Sequence, residues 1–201
     1  RQYIVKGFYR DYFANFDRQV ILADCLTPLN HSRQAFSDMQ EGLQQLFKNF
    51  HYGKRTLLNR LFSPRIDKLI FIATKADHIT SDQLPNLVSL MRQLVQEGGR
   101  YVEFEGIETE YTAIASIRAT QQVNVNQNGK SFKALQGVRS ADKQKITVYP
   151  GSVPNKLPKA DFWQQQKFEF DQFEPQQLEQ GEIIPHLRMD AVLQFLLGDK
   201  I

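Results

Sequence analysis

Five consecutive apolar residues, Leu69-Ile-Phe-Ile-Ala73, stop at the polar cluster Thr74-Lys75-Ala76-Asp77, and no other feature narrows the fold as far. An uninterrupted apolar run of this length suits a strand covered on both faces, as in a parallel sheet between helices. Parallel neighbours require crossover connections, usually helical, and the flanking sequence supplies them. Upstream, Arg18-Gln-Val-Ile-Leu-Ala-Asp24 is a second apolar run ending in an acid, with Pro28 and Asn30 predicting a loop beyond it. Phe36, Met39, Leu43, Leu46, Phe47 and Phe50 then recur at helical spacings of three and four, predicting a crossover helix. Leu57, Leu58, Leu61 and Phe62 predict a further helical turn or two, closed by Ser63-Pro64 because the residue before proline is pushed out of helical geometry.

Beyond the central run, Ser81 and Asp82 offer caps for a helix whose first turn tolerates Pro85. Its apolar face is Leu84, Leu87, Val88, Met91, Leu94 and Val95, until Gly98-Gly99 weakens it. Glu110-Tyr-Thr-Ala-Ile-Ala115 predicts a third strand. The order strand, helix, strand, helix, strand implies an α/β fold, a parallel sheet flanked by helices with right-handed crossovers. From Gln121 the pattern changes. Val123 and Val125 alternate with polar residues, Asn128-Gly129 signals a tight turn, and Ile146 to Val148 precede Pro150-Gly151, which predicts a small β appendage. The stretch from Asp161 to Gln180 mixes Phe162, Trp163, Phe168, Phe170 and Phe173 with glutamines and acids, without a sustained period; it reads as a segment wrapping the domain. Aromatic rings are more often core than contact surface, and that reading is preferred here. Met189, Val192, Leu193, Leu196 and Leu197 form an amphipathic C-terminal helix that needs a surface to dock on. With 201 residues and 41% hydrophobic content, one sizeable core is expected. The division expected is an α/β domain over residues 1–120 and an extension over 121–201 packed on it. The chain opens on Arg1 within an aromatic and basic stretch, as though entered mid-element, so a fragment or processed chain is expected.

Several function classes fall away. The 25 Lys and Arg against 22 Asp and Glu leave a net charge of +3, too diffuse for a nucleic-acid surface. Cys25 is the sole cysteine, so no internal disulfide forms and no zinc-type cluster exists, which fits a reducing cytoplasm. Cys25 itself reads as a small buried hydrophobe. No apolar run approaches the roughly 20 residues of a membrane-spanning helix, so a cytoplasmic place, at most peripheral to the inner membrane, is expected. The four histidines, His31, His51, His78 and His186, lack metal-ligand spacing, and no nucleophile motif is present.

In open parallel sheets, ligands gather beyond the C-terminal ends of the strands. Those positions here are Asp24, Thr74 to Asp77, and Ser116-Ile117-Arg118. A carboxylate ending an apolar strand can hold a phosphate-bound Mg²⁺ through water, since that ion keeps several waters and prefers one or two carboxylates. Asp24 suits that role, although an acid opening a turn is common. Asp77, two residues beyond Lys75, can accept from guanine's paired donors, the ring N1–H and the exocyclic amine; adenine lacks that pair. The Lys75 stem can lie along the base, and the Thr74 hydroxyl can tie the loop; the competing reading is a polar turn in which Asp77 caps a helix. After the third strand, Ser116 can offer its backbone N–H to the base carbonyl while Arg118 covers the pocket. Each cluster is weak alone, and their order along the chain is that of guanine-nucleotide proteins.

The segments DCLTPLN at 24–30, FIATKADHI at 71–79, AIASIRATQ at 113–121 and the ending FLLGDK at 195–200 resemble the YcjX-like family of P-loop GTPases, bacterial and linked to stress response. The resemblance runs over nearly the whole chain. It implies GTP or GDP with Mg²⁺ as ligands, a phosphate-gripping loop in an upstream N-terminal segment, and an unusual C-terminal extension. Thr27 stands where Ras-type proteins carry a glycine, and Thr74 replaces the commoner Asn. No residue is identified as orienting the attacking water; Asn30 and His31 read as loop residues. Gly129-Lys130-Ser131 is like the end of a phosphate loop, but Asn124 replaces its first glycine and the setting is a hairpin, so it reads as a turn. Two functions are therefore expected to compete: GTP binding with slow hydrolysis by an intact protein, this segment alone being inactive, and a non-catalytic module docking a protein or envelope partner.

Overall fold

The computed structural model describes residues 16–49, 66–104, 106–165 and 171–201. Its first layer is a three-stranded parallel sheet, β1 (Arg18–Ala23), β2 (Lys68–Ala73) and β3 (Glu108–Ala113), in that spatial order. The strands run in step: Ala23, Ala73 and Ala113 lie side by side, so all three following loops leave the sheet at one level. β2 is central and its apolar run is buried on both faces, as its composition requires. The third strand starts and ends two residues earlier than expected, and Ala115 pairs instead with Leu187 in an isolated antiparallel bridge.

Helices cover one face of the sheet. α1 (Leu26–His31) and α2 (Arg33–Asn49) follow β1, and α3 (Leu84–Leu94) and α4 (Gln96–Phe104) precede β3. α1 replaces the expected loop. Pro28 sits in its first turn, where the missing N–H would have had no helical partner in any case. Leu57 to Phe62 lie outside the described residues. α3 starts at Leu84 after a short 3₁₀ turn at Ser81–Gln83, with no side-chain cap, so neither Ser81 nor Asp82 closes its end. Gly98-Gly99, expected to weaken the helix, lie inside α4. A Cβ at Gly99 would collide with the Tyr111 hydroxyl, so the missing side chain makes room for β3. Tyr111 stacks on Phe71 of the neighbouring strand at 5.1 Å, with the Arg92 guanidinium 4.5 Å from its ring centre.

The appendage is an antiparallel sheet of β4 (Thr120–Gln127), β5 (Lys130–Val138) and β6 (Lys145–Val148). Asn128 and Gly129 join the first two with φ of +53° and +74°, the left-handed pair a two-residue hairpin demands. Gly129-Lys130-Ser131 is thus part of a hairpin. Of the aromatic segment, Phe162 and Trp163 in α5 (Phe162–Gln165) pack on the helical side: Trp163 donates its indole N–H to the Leu29 carbonyl at 3.2 Å and lies 5.8 Å from the Phe36 ring. Phe173 is buried beside Gly137, while Phe168 and Phe170 lie outside the described residues.

The C-terminal helix α6 (Met189–Leu197) closes the other face, laying Val192 on Ile70, Ile72 and Ile114. Its far end is held by cations, which suit the negative end of a helix. Arg18 donates to the Leu196 carbonyl at 3.2 Å and to both carboxylate oxygens of Asp199 at 3.0 and 2.7 Å, and Lys68 donates to the Phe195 carbonyl at 3.0 Å. The Arg18 guanidinium holds the Asp199 carboxyl well below the usual carboxylate range. α6 does not reach all of β1: Val20 and Leu22, facing the same way as Ile70 and Ile72, remain 43% and 60% exposed. Among the described residues no helix is long and apolar enough to cross a membrane.

Candidate functional site

The common register of the three strands brings Asp24, the Thr74 to Asp77 loop and the residues after β3 to one end of the sheet. Backbone hydrogen bonds stitch these loops together. Thr74 donates its N–H to the Ala23 carbonyl at 3.0 Å and Ala76 to the Ile114 carbonyl at 3.0 Å, so the central loop is tied to both neighbours. Lys75 adopts φ +60°, a left-handed conformation that costs a non-glycine residue roughly 1–2 kcal/mol. That kink swings its ammonium toward β1.

There it meets Asp24. Lys75 Nζ lies 2.6 Å from Asp24 Oδ2 and donates to the Thr27 hydroxyl at 2.8 Å. Thr27 in turn donates its N–H to Asp24 Oδ1 at 3.0 Å and its hydroxyl to Oδ2 at 2.7 Å, so Asp24 also secures the start of α1. Partial burial pushes the Asp24 carboxyl up, but the hydrogen bonds from Lys75 and Thr27 together outweigh it and hold the group below its ordinary value. The side chain keeps 31% of its surface exposed, and that of Lys75 keeps 45%, so this triad faces solvent. Cys25, beside it in sequence, is fully buried, and burial with the nearby Asp24 charge pushes its thiol up to about 12.

Asp77 is arranged in the opposite way. It lies in a 3₁₀ turn, Ala76–His78, and is only 5% exposed. Its Oδ2 accepts the Ala119 N–H at 2.7 Å and its Oδ1 lies 3.1 Å from His78 Nδ1, while the Thr120 hydroxyl donates to its backbone carbonyl. Burial raises the Asp77 carboxyl, but His78 and then the Ala119 N–H bring it below its ordinary value, so it is ionised at neutral pH. Ser116, Ile117 and Arg118 follow β3 in a loop whose backbone is held from outside. Ala115 and Leu187 exchange hydrogen bonds at 3.3 and 2.8 Å, and Arg118 donates its N–H to the Pro185 carbonyl at 2.8 Å. Ser116 and Ile117 are exposed, and Arg118 Nε is buried without a hydrogen-bond partner among the described residues.

All 201 residues match the model of the YcjX-like family. The chain belongs to this family. It is 51% identical over 198 residues to a Ras-like GTPase YcjX of Escherichia coli strain K12, and 39% identical over 204 residues to the protein of the same name from Shewanella oneidensis. Each alignment covers 98% of this chain but only 43% and 41% of the relative, so the chain spans less than half their length.

Within this YcjX-like chain the candidate residues separate into two groups. Asp24, Thr27 and Lys75 meet in one solvent-facing cluster, and Asp77 meets the end of the third loop in a second, closed one. Sequence reasoning missed Thr27 as a partner of Lys75, and it missed His78, Ala119 and Thr120 as partners of Asp77. Only the adjacency of Asp77 and His78 was visible in one dimension. Ala119 and Thr120 lie within AIASIRATQ, but nothing in that segment points to Asp77, and their 42- and 43-residue separation from it is bridged by β3 and its loop. Among the described residues no three His, Cys, Asp or Glu side chains cluster to hold a metal, which leaves Asp24 as a lone strand-end carboxylate.

Proposed function

We propose that this chain supplies the guanine-recognition side and the metal-linked acid of a P-loop GTPase-type site, with the phosphate-gripping loop contributed by another part of a longer protein. One observation carries this reading: three parallel strands end in register, so that an ionised Asp24, the Lys75 loop with Asp77, and the Ser116 to Ala119 loop share one edge. The names of both relatives point the same way.

The donor set fits Mg²⁺ held through water. Asp24 is a hard, ionised oxygen ligand with solvent on one side, which suits a water-held Mg²⁺ once the Lys75 ammonium, now paired with Oδ2, gives way. When bound, the ion would neutralise charge on the phosphate oxygens; the residues here would hold its waters from Asp24. Asp77 has the right chemistry for guanine, an ionised carboxylate with about four lone-pair sites for two adjacent N–H donors. Thr74 and Ser116 complete the loop ends in the same reading, with Ile117 and Arg118 edging the pocket. Val20 and Leu22, apolar and uncovered on β1, give the remainder of a longer protein a face to pack on.

The test is binding of GDP, GTP and ATP to an intact protein that includes this chain. A preference for guanine over adenine that disappears in Asp77→Asn supports the reading. Equal binding of ATP, or an unchanged preference in that variant, overturns it.

A further inference from the structure

Resting on that reading, the geometry raises a question of access. Guanine would need the Asp77 carboxylate, yet that side chain is 3% exposed and each oxygen already faces a protein group. One of those groups, the Ala119 N–H, is a donor of the kind the base would present. The loop carrying it is clasped from both sides. On the inner side the Thr120 hydroxyl, on a residue 1% exposed, donates to the Asp77 carbonyl. On the outer side Pro185 and Leu187 take the backbone of Arg118 and Ala115. Those two residues lead directly into α6, whose apolar side lies on Ile70, Ile72 and Ile114 and whose end is pinned by Arg18 and Lys68.

We infer that the Ala119 N–H is an internal competitor for the guanine-binding carboxylate, and that the Pro185 to Leu187 segment is a strap holding the base pocket shut until the loop after β3 moves. Asp77 then exchanges one backbone donor for two base donors as guanine enters. A carboxylate in this state keeps its charge satisfied when no base is bound, which a buried anion requires. Arg118 Nε, buried and without a hydrogen-bond partner among the described residues, fits this picture, because a loop at rest in its final place satisfies such a donor. Strap and latch make the rate of guanine entry depend on residues that never touch the nucleotide.

The experiment uses the intact protein with a fluorescent guanine nucleotide and amide hydrogen exchange. Thr120→Val removes the hydroxyl donor at nearly constant shape and should speed association about fivefold, the rate equivalent of one net hydrogen bond. It should also lower Ala119 amide protection in the nucleotide-free protein. Saturating GDP should break the Ala119 hydrogen bond in the wild type, seen as faster exchange of that one amide, a readout that needs no variant to fold. If GDP binds with guanine preference while Ala119 protection is unchanged or increased, or if Thr120→Val slows association, the latch is wrong and the nucleotide reading stands. If the intact wild type shows no guanine preference, the nucleotide reading itself falls, and the latch with it.

Discussion

Two aspartates end up at the same edge of one sheet and have opposite surroundings. Asp24, after the edge strand β1, shares its oxygens with the Lys75 ammonium and the Thr27 side chain and stays a third exposed. Asp77, after the central strand β2, is sealed under the loop that follows β3 and takes a donor from a residue 42 positions away. Central and edge position explain the contrast. A loop leaving β2 is flanked on both sides by loops of its neighbours, whereas among the described residues β1 has no strand on its outer side. Among the described residues, position in the sheet separates an acid that faces solvent from one that lies under a neighbouring loop.

The largest effect that tests this contrast is on base selectivity. Asp77→Asn in the intact protein should reduce the preference for GDP over ADP at least about tenfold, because hydrogen bonds to charged groups are worth roughly 1.5–3 kcal/mol. Lys75→Gln, at the open site, should change that preference less. Competition binding with both nucleotides distinguishes them, and equal losses would break the comparison.

Stability comes next. Asp77→Ala leaves the part-buried Ala119 N–H without its acceptor and should cost about 1–3 kcal/mol in denaturant unfolding. Asp24→Ala removes the group that secures the start of α1, and a loss nearer 1 kcal/mol is expected, as for other helix-start acceptors. A larger loss at Asp24 than at Asp77 would reverse the assignment of open and closed sites.

A smaller effect separates the two by pH. Both carboxyls are lowered in the folded protein, so each contributes stability above the unfolded aspartate value of about 3.9 and loses it as pH falls through the folded value. Urea midpoints measured from neutral pH into this acid window should fall. The fall should be shallower in Asp77→Asn than in Asp24→Asn, since solvent screens the exposed pair more. The smallest effect is that of salt. The Lys75 and Asp24 pair, half open to water, should contribute about 0–1 kcal/mol and weaken as ionic strength rises. A salt-insensitive difference between wild type and Lys75→Gln would show the pair to be better shielded than its exposure indicates.

Much of this was written in one dimension. The apolar run at Leu69 to Ala73 can only be satisfied in the middle of a sheet, and the helical spacing of Leu87, Met91 and Leu94 commits that segment to covering it. Asn128-Gly129 likewise specifies a hairpin by its backbone freedom, which excludes Gly129-Lys130-Ser131 from a phosphate loop. These are local consequences of side-chain period and backbone sterics. The limits of β3 and the helix at Leu26–His31 were less legible, because each depends on a partner distant in sequence or on a competition that Pro28 alone does not settle.

The sequence by itself determined that a parallel sheet would carry an acid, a TKAD loop and a small-residue loop at its strand ends, since buried strands, crossover helices and strand order follow from patterns a few residues long. Only the tertiary structure decided which of those groups meet. Lys75 turning to Asp24, Ala119 closing on Asp77, and Pro185 to Leu187 clasping the last loop are contacts between residues 42 to 72 positions apart. No local propensity encodes such pairings. They arise because the strands stand in register, and the polar groups this brings together must find partners once water is excluded.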